Sequence, residues 1–169
     1  WSLAASARVE QVYVAPGNGG TAREPGVINL PITDTEALIT FCRSESIAFA
    51  VVGPEAPLAA GIVDAFRAAG IPIFGPTRSA ARLESSKDFA KAFMLRHGIP
   101  TAAYRTFTDA AKAHAYLDER GAPIVIKADG LAAGKGVIVA MTLEQAETAL
   151  SDMLDGGSLG AAGSRVVIE

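Results

Sequence analysis

The chain has 169 residues, 50% of them hydrophobic and 7% aromatic, with 15 Lys and Arg against 18 Asp and Glu for a net charge of −3. That length suits one or two domains able to bury roughly two-thirds of the surface the unfolded chain exposes. The absence of a long basic run argues against a nucleic-acid partner held by phosphate neutralisation. One cysteine, Cys42, excludes an internal disulfide framework and a Cys-based zinc site; it reads as a small apolar residue on a helix. No apolar run approaches the ~20 residues of a membrane span and no signal peptide is visible, so a cytoplasmic location without membrane attachment is expected. Both ends read as cut: Trp1 stands where a helix would be ending, and Glu169 lies inside a strand.

The first half alternates strand and helix signals. Residues 11–15 read as a short buried strand that stops at Pro16-Gly17-Asn18-Gly19-Gly20, a turn-forming loop. Residues 27–30 are a second strand, followed by a helix over 34–46 that Thr33 and Glu36 would open as a capping box. A third strand at 49–52 stops at Gly53-Pro54-Glu55. The helix after it carries Leu58, Ile62 and Phe66 at i, i+4 and i+8 and closes at Gly70. A short strand at 71–74 completes the pattern. Such alternation predicts a parallel, doubly wound sheet, whose ligands lie beyond the carboxyl ends of the strands. The Pro16 and Gly53 loops fall there, and each reads equally as a structural turn.

After Gly75-Pro76-Thr77 the character changes. Residues 78–84 and 87–97 read as short helices, the second burying Phe89, Phe93 and Met94. Then follow a strand at 104–107, a helix at 109–120, and a helix at 143–154 capped by Thr142 and Gln145. Residues 156–163 read as a mobile loop, and a further strand starts at 165. His97 and His114 lie on amphipathic helices and read as structural. The whole predicts an α/β chain: a Rossmann-like parallel-sheet domain over residues 1–84, then part of an α+β domain over 85–169.

Between those last two helices stands the stretch richest in chemistry, Ile124-Val125-Ile126-Lys127-Ala128-Asp129-Gly130-Leu131-Ala132-Ala133-Gly134-Lys135-Gly136-Val137-Ile138-Val139. Exposed backbone N–H groups beside ammonium groups suit a polyphosphate. It is not a Walker A loop, because Gly130 comes one residue late and Gly136 stands where Ser or Thr is required. The β-branched run after Lys135 prefers extended structure. Two readings remain open: a hairpin tip folded over phosphates, or an ordinary Gly-rich turn with solvated lysines.

Five segments in order resemble a known family: Pro16-Gly17-Asn18-Gly19-Gly20-Thr21-Ala22, Val52-Gly53-Pro54-Glu55-Ala56-Pro57-Leu58, Phe74-Gly75-Pro76-Thr77, Glu84-Ser85-Ser86-Lys87-Asp88-Phe89-Ala90-Lys91, and Val125 through Val137. They resemble the glycinamide ribonucleotide synthetases, or phosphoribosylamine–glycine ligases, within the ATP-grasp superfamily. The resemblance implies a Rossmann-like pre-ATP-grasp domain and a partial ATP-grasp domain, both truncated. It implies an ATP- and Mg2+-dependent ligase of purine biosynthesis that joins glycine to 5-phosphoribosylamine through a glycyl phosphate. Lys87, Lys127, Gly130, Gly134, Lys135, Gly136 and Glu169 would then meet ATP, Glu169 at the adenine. Asn18, Gly19, Gly53, Pro54 and Glu55 would receive phosphoribosylamine. The magnesium ligands and glycine site would lie beyond Glu169, so the 169 residues alone are expected not to make the product. The competing readings are another ATP-grasp carboxylate–amine ligase or carboxylase, such as the biotin carboxylase group, and a non-catalytic ATP-binding module. A dinucleotide oxidoreductase finds no support, because no G-x-G-x-x-G follows any strand.

Overall fold

A computed structural model describes every residue except 133, 157 and 158. The chain divides into two compact units, one formed by Trp1–Val52 and Ile62–Phe74, the other by Gly53–Gly61 and Gly75–Glu169.

In the first unit β1 (Val12–Val14) pairs with β2 (Val27–Asn29), and β3 (Ala50–Val51) with β4 (Ile73–Phe74). Both pairs are parallel, as alternating strands and helices predict, and they form two two-stranded pieces. Helix α1 (Thr35–Ser44) buries Ile39 and Cys42. Its cap is Asp34, whose carboxylate accepts the Ala37 N–H at 2.8 Å, rather than the expected Thr33. A charged acceptor at the N-cap satisfies an orphan amide and meets the positive end of the helix dipole as well.

The helix expected from Glu55 to Gly70 is two helices, α2 (Glu55–Ala60) and α3 (Ile62–Ala68). Gly61 separates them with φ 95° and ψ 25°, a left-handed conformation that L side chains resist. Leu58, Ile62 and Phe66 are all buried, yet the break leaves Leu58 in the second unit and the other two in the first.

The second unit packs α2 against α4 (Arg78–Ser85), and α4 against α5 (Lys87–Arg96). Its sheet has the antiparallel order β5-β8-β6-β7, built from β5 (Arg105–Phe107), β6 (Ile124–Ala128), β7 (Val137–Ala140) and β8 (Val166–Ile168). Helices α6 (Ala110–Arg120) and α7 (Leu143–Leu154) pack together, and with the sheet they enclose a core of Leu117, Ile126, Leu150, Val166 and Ile168, all fully buried. Asp109 caps α6, and Thr142 caps α7 as the sequence suggests. Gly160–Gly163, within the stretch expected to be a loop, is a 3-10 turn; residues 157 and 158 of that stretch lie outside the described residues.

Helix α5 departs from its amphipathic reading. Phe89, Phe93 and Met94 are only half-buried, and Lys91 is the buried residue. The ammonium's partners on distant segments, rather than an apolar stripe, set which face turns inward.

Candidate functional site

Strand β6 alternates, with Ile124, Ile126 and Ala128 buried in the core and Val125 and Lys127 on the opposite face. In the antiparallel register of β6 with β8, Ile126 faces Ile168 and Lys127 faces Val167. The next pair is closed by backbone bonds between Val125 and Glu169, which donate N–H to each other's carbonyls at 2.6 and 2.9 Å. Glu169 therefore shares the Val125 and Lys127 face, and its side chain forms an ion pair with Lys127.

Glu169 also forms an ion pair with Lys91 of α5, so one carboxylate bridges two ammonium groups. Lys91 Nζ donates in addition to Thr101 Oγ1 at 2.8 Å and to the Ala102 carbonyl at 3.2 Å. Burial pushes both lysines below the ordinary value of 10.5, and at Lys127 the charges of Lys91 and Lys87 act in the same direction. The carboxylate between them favours the charged forms and opposes this. Sequence reasoning passed over Lys91. Its spacing from Lys87, i and i+4 on one helix face, was the available signal.

The loop from residue 129 to 136 joins the hairpin of β6 and β7, the arrangement the flanking β-branched runs predict. Lys87 Nζ donates to the Gly130 carbonyl at 3.2 Å, which ties the start of α5 to that loop. Asp129 reinforces the tie: its carboxylate accepts the Ser86 hydroxyl at 3.1 Å and the Asp88 N–H at 2.8 Å. Gly130 and Gly136 are close-approach positions. A Cβ on Gly130 would lie 2.9 Å from Ala162 Cα, and one on Gly136 would lie 2.7 Å from Ala132 Cβ. Gly134 turns the loop with φ 79°, and Lys135 is exposed at its tip. Ala133 lies outside the described residues.

The structure thus joins Lys127 and Glu169 in one ion-pair cluster, with Lys91 as its unexpected member, and bonds Lys87 to Gly130 near enough for its charge to act on Lys127. Asn18 and Gly19 belong to the first unit. The Asn18 side chain shapes its own loop there, accepting the Gly20 N–H at 2.8 Å and the Thr21 N–H at 3.1 Å, while Gly19 has open space around it. Gly53, Pro54 and Glu55 begin α2 in the second unit. There Gly53, Glu55, Leu58, Pro76, Ala81 and Glu84 line an open hollow of about 260 Å³. Each histidine meets a side chain: the His97 ring lies 4.3 Å from that of Phe93, and His114 Nε2 is 3.4 Å from Ser151 Oγ.

Among the described residues no group of three or more His, Cys, Asp or Glu side chains is placed to hold a metal ion. Among the same residues no helix is long and apolar enough to cross a membrane.

A lysine-bearing antiparallel hairpin, its glycine-rich tip tied to a neighbouring helix, defines the chain as an ATP-grasp type of α+β protein joined to parallel-stranded α/β segments. Residues 1–84 match the N domain of phosphoribosylglycinamide synthetase, and residues 85–169 match its ATP-grasp (A) domain. The chain belongs to the phosphoribosylglycinamide synthetase family. It is similar to the phosphoribosylamine–glycine ligases of Ralstonia nicotianae, 69% identical, and of Neisseria meningitidis serogroup B, 66% identical; each alignment covers 100% of this chain and 40% of the relative. The crystal structure of phosphoribosylamine–glycine ligase from Thermotoga maritima is similar over 94% of this chain and 37% of its own, with 30% identity and a TM-score of 0.70. The chain therefore spans 40% of the length of the curated relatives it matches.

Proposed function

We propose that the protein to which this chain belongs ligates glycine to 5-phosphoribosylamine at the expense of ATP, and that the second unit of the chain grips the nucleotide's phosphates. The relatives' name supports the reaction. The observation that carries this reading is the ammonium of Lys87 bonded to the Gly130 carbonyl of the loop after β6, the strand that carries Lys127.

A carboxylate is a poor acyl donor, because its leaving group would be oxide. In the proposed reaction a glycine carboxylate oxygen attacks the γ-phosphorus and ADP departs. The phosphoribosylamine nitrogen then attacks the acyl carbon of glycyl phosphate, inorganic phosphate leaves, and the nitrogen loses its proton. The protein's task is positioning and charge neutralisation. Lys127, half-exposed on β6, is placed to donate to phosphate oxygens. Lys87 presents its ammonium from the first residue of α5, and Lys135 and the backbone N–H groups of the loop cover the triphosphate. Magnesium, when bound with the nucleotide, would supply further neutralisation of phosphate charge. Gly53, Pro54 and Glu55, at the start of α2 in the second unit, are proposed for phosphoribosylamine. Glu55 would meet its amine or ribose hydroxyls.

The test is ATP affinity and glycinamide ribonucleotide formation by the full-length protein, wild type beside Lys127→Ala. Wild type should form the product. The substitution should weaken ATP binding and lower turnover at least tenfold, about the weight of one charge-assisted phosphate contact. Unchanged affinity and turnover in Lys127→Ala would sink the phosphate role of that lysine.

A further inference from the structure

Glu169 meets two lysines that are not equivalent. Lys91 is 10% exposed at its side chain, and its ammonium has three acceptors: Glu169, the Thr101 hydroxyl and the Ala102 carbonyl. An ammonium carries three N–H donors, so Lys91 is fully satisfied where it stands. It also lies 5.6 Å from the centre of the Tyr104 ring, which closes another side. Lys127 is 27% exposed, and its ion-pair partner among the described residues is the same carboxylate. One lysine is built in and the other is able to leave.

That asymmetry matters because the Glu169 side chain is only 7% exposed. Were Lys127 its sole counter-charge, a phosphate drawing Lys127 away would strand a buried carboxylate, which is strongly unfavourable. The phosphate would have to compete with an exclusive ion pair. With Lys91 fixed beside it, Glu169 stays neutralised and hydrogen-bonded whichever way Lys127 turns. We propose that Lys91 is a positioning residue that holds and neutralises Glu169, so that Lys127 is free to exchange that carboxylate for a phosphate oxygen. Lys91 never touches the ligand in this arrangement; it acts through Glu169 on Lys127. The inference rests on the nucleotide reading of the site and adds to it a residue with no ligand contact.

The experiment measures ATP dissociation constants for the full-length protein, in wild type, Lys91→Met, Lys91→Arg, Glu169→Gln and the Lys91→Met/Glu169→Gln double variant. Lys91→Met should weaken ATP roughly tenfold when Glu169 is present, because the stranded carboxylate then keeps Lys127. In the Glu169→Gln background, where no carboxylate holds Lys127, the same substitution should change affinity by less than about twofold. Lys91→Arg, which retains a charge and several donors, should stay within about threefold of wild type.

A merely structural lysine would weaken binding equally in both backgrounds, and that result overturns the proposal, as does wild-type affinity in Lys91→Met. If Lys91→Met fails to fold, Thr101→Val takes its place. It loosens Lys91 by one hydrogen bond and should weaken ATP about threefold with Glu169 present, and leave affinity unchanged in the Glu169→Gln background. An equal effect in both backgrounds again overturns the proposal. Wild-type protein that bound no ATP would overturn the nucleotide reading itself. Wild type that binds ATP, with Lys91→Met indistinguishable from it, would remove the role of Lys91 alone.

Discussion

Asp129 caps Asp88: the Asp129 Oδ1 accepts the Asp88 backbone N–H at 2.8 Å although both residues are acidic. The Ser86 hydroxyl donates to Asp129 and accepts the Phe89 N–H at 3.2 Å, so two acceptors share the first turn of α5. Arg165 Nη1 lies 3.4 Å from Asp88 Oδ2 and 3.7 Å from Asp129 Oδ2, which offsets the like charges. Thr106 donates to the other Asp88 oxygen at 2.7 Å.

Asp129→Ala is expected to destabilise the full-length protein by about 1–2 kcal/mol, the range for a lost helix cap. Asp129→Asn, which keeps one side-chain acceptor, should lose less than half of that. Equilibrium urea unfolding measures both, and a wild-type midpoint for the alanine variant would remove the capping role.

Gly136→Ala places a Cβ 2.7 Å from Ala132 Cβ and 3.1 Å from Ala128 Cβ, at the base of the loop. Backbone must shift to relieve that, at a cost of about 1–3 kcal/mol. Lys127 faces Val137 across the same hairpin, so the shift should reach the lysine. The expected result is a lower unfolding midpoint together with weaker ATP binding. Loss of stability with ATP affinity intact would separate the glycine from the site.

Gly61→Ala should cost about 1–2 kcal/mol, because residue 61 has φ 95° and a left-handed backbone is unfavourable for alanine. The new methyl would also lie 3.4 Å from Arg78 Cδ. A variant as stable as wild type would mean that the chain straightens there into the single helix its apolar spacing suggests.

The alkaline limb of ATP binding should reveal the lowered proton affinity of Lys127. Burial first, then the charges of Lys91 and Lys87, hold its pKa below 10.5, and a neutral amine gives a phosphate no charge. Affinity should therefore fall as pH rises, before the ordinary lysine range is reached. Lys87→Met removes one neighbouring charge and should move that fall to higher pH, apart from any uniform weakening. For folding the sign is opposite. Between the folded and unfolded pKa values the unfolded chain binds more protons, so the contribution of this lysine to stability rises with pH. A titration midpoint unmoved in Lys87→Met would count against the coupling.

The hairpin was legible because two β-branched runs flank a glycine-rich loop, and Lys127 was legible because it ends the first run. The cap at Thr142 followed from local chemistry. Gly61 was not legible as a break, since a single glycine inside a helical pattern is often tolerated and the apolar spacing runs straight through it. Lys91 was hidden for a different reason. Periodicity assigns the inward face of a helix to its apolar residues, while here Thr101, Ala102 and Glu169, distant in sequence, supply acceptors that draw an ammonium inward. The Glu169 partnership depends on strand register, which no local pattern encodes.

Strand β8 lies between β5 and β6, although it follows both in the chain. During synthesis β5 must leave the ribosome without its partner, and the hairpin of β6 and β7 forms while its other edge is still bare. Pairings between segments this far apart are slow to form. The strand that fills the gap between β5 and β6 also delivers the carboxylate that joins Lys91 to Lys127, so the ordering of that charge cluster coincides with the closing of those two ladders. A nascent chain stalled before β8 would expose two unpaired strand edges and an uncompensated pair of lysines, a state suited to chaperone capture.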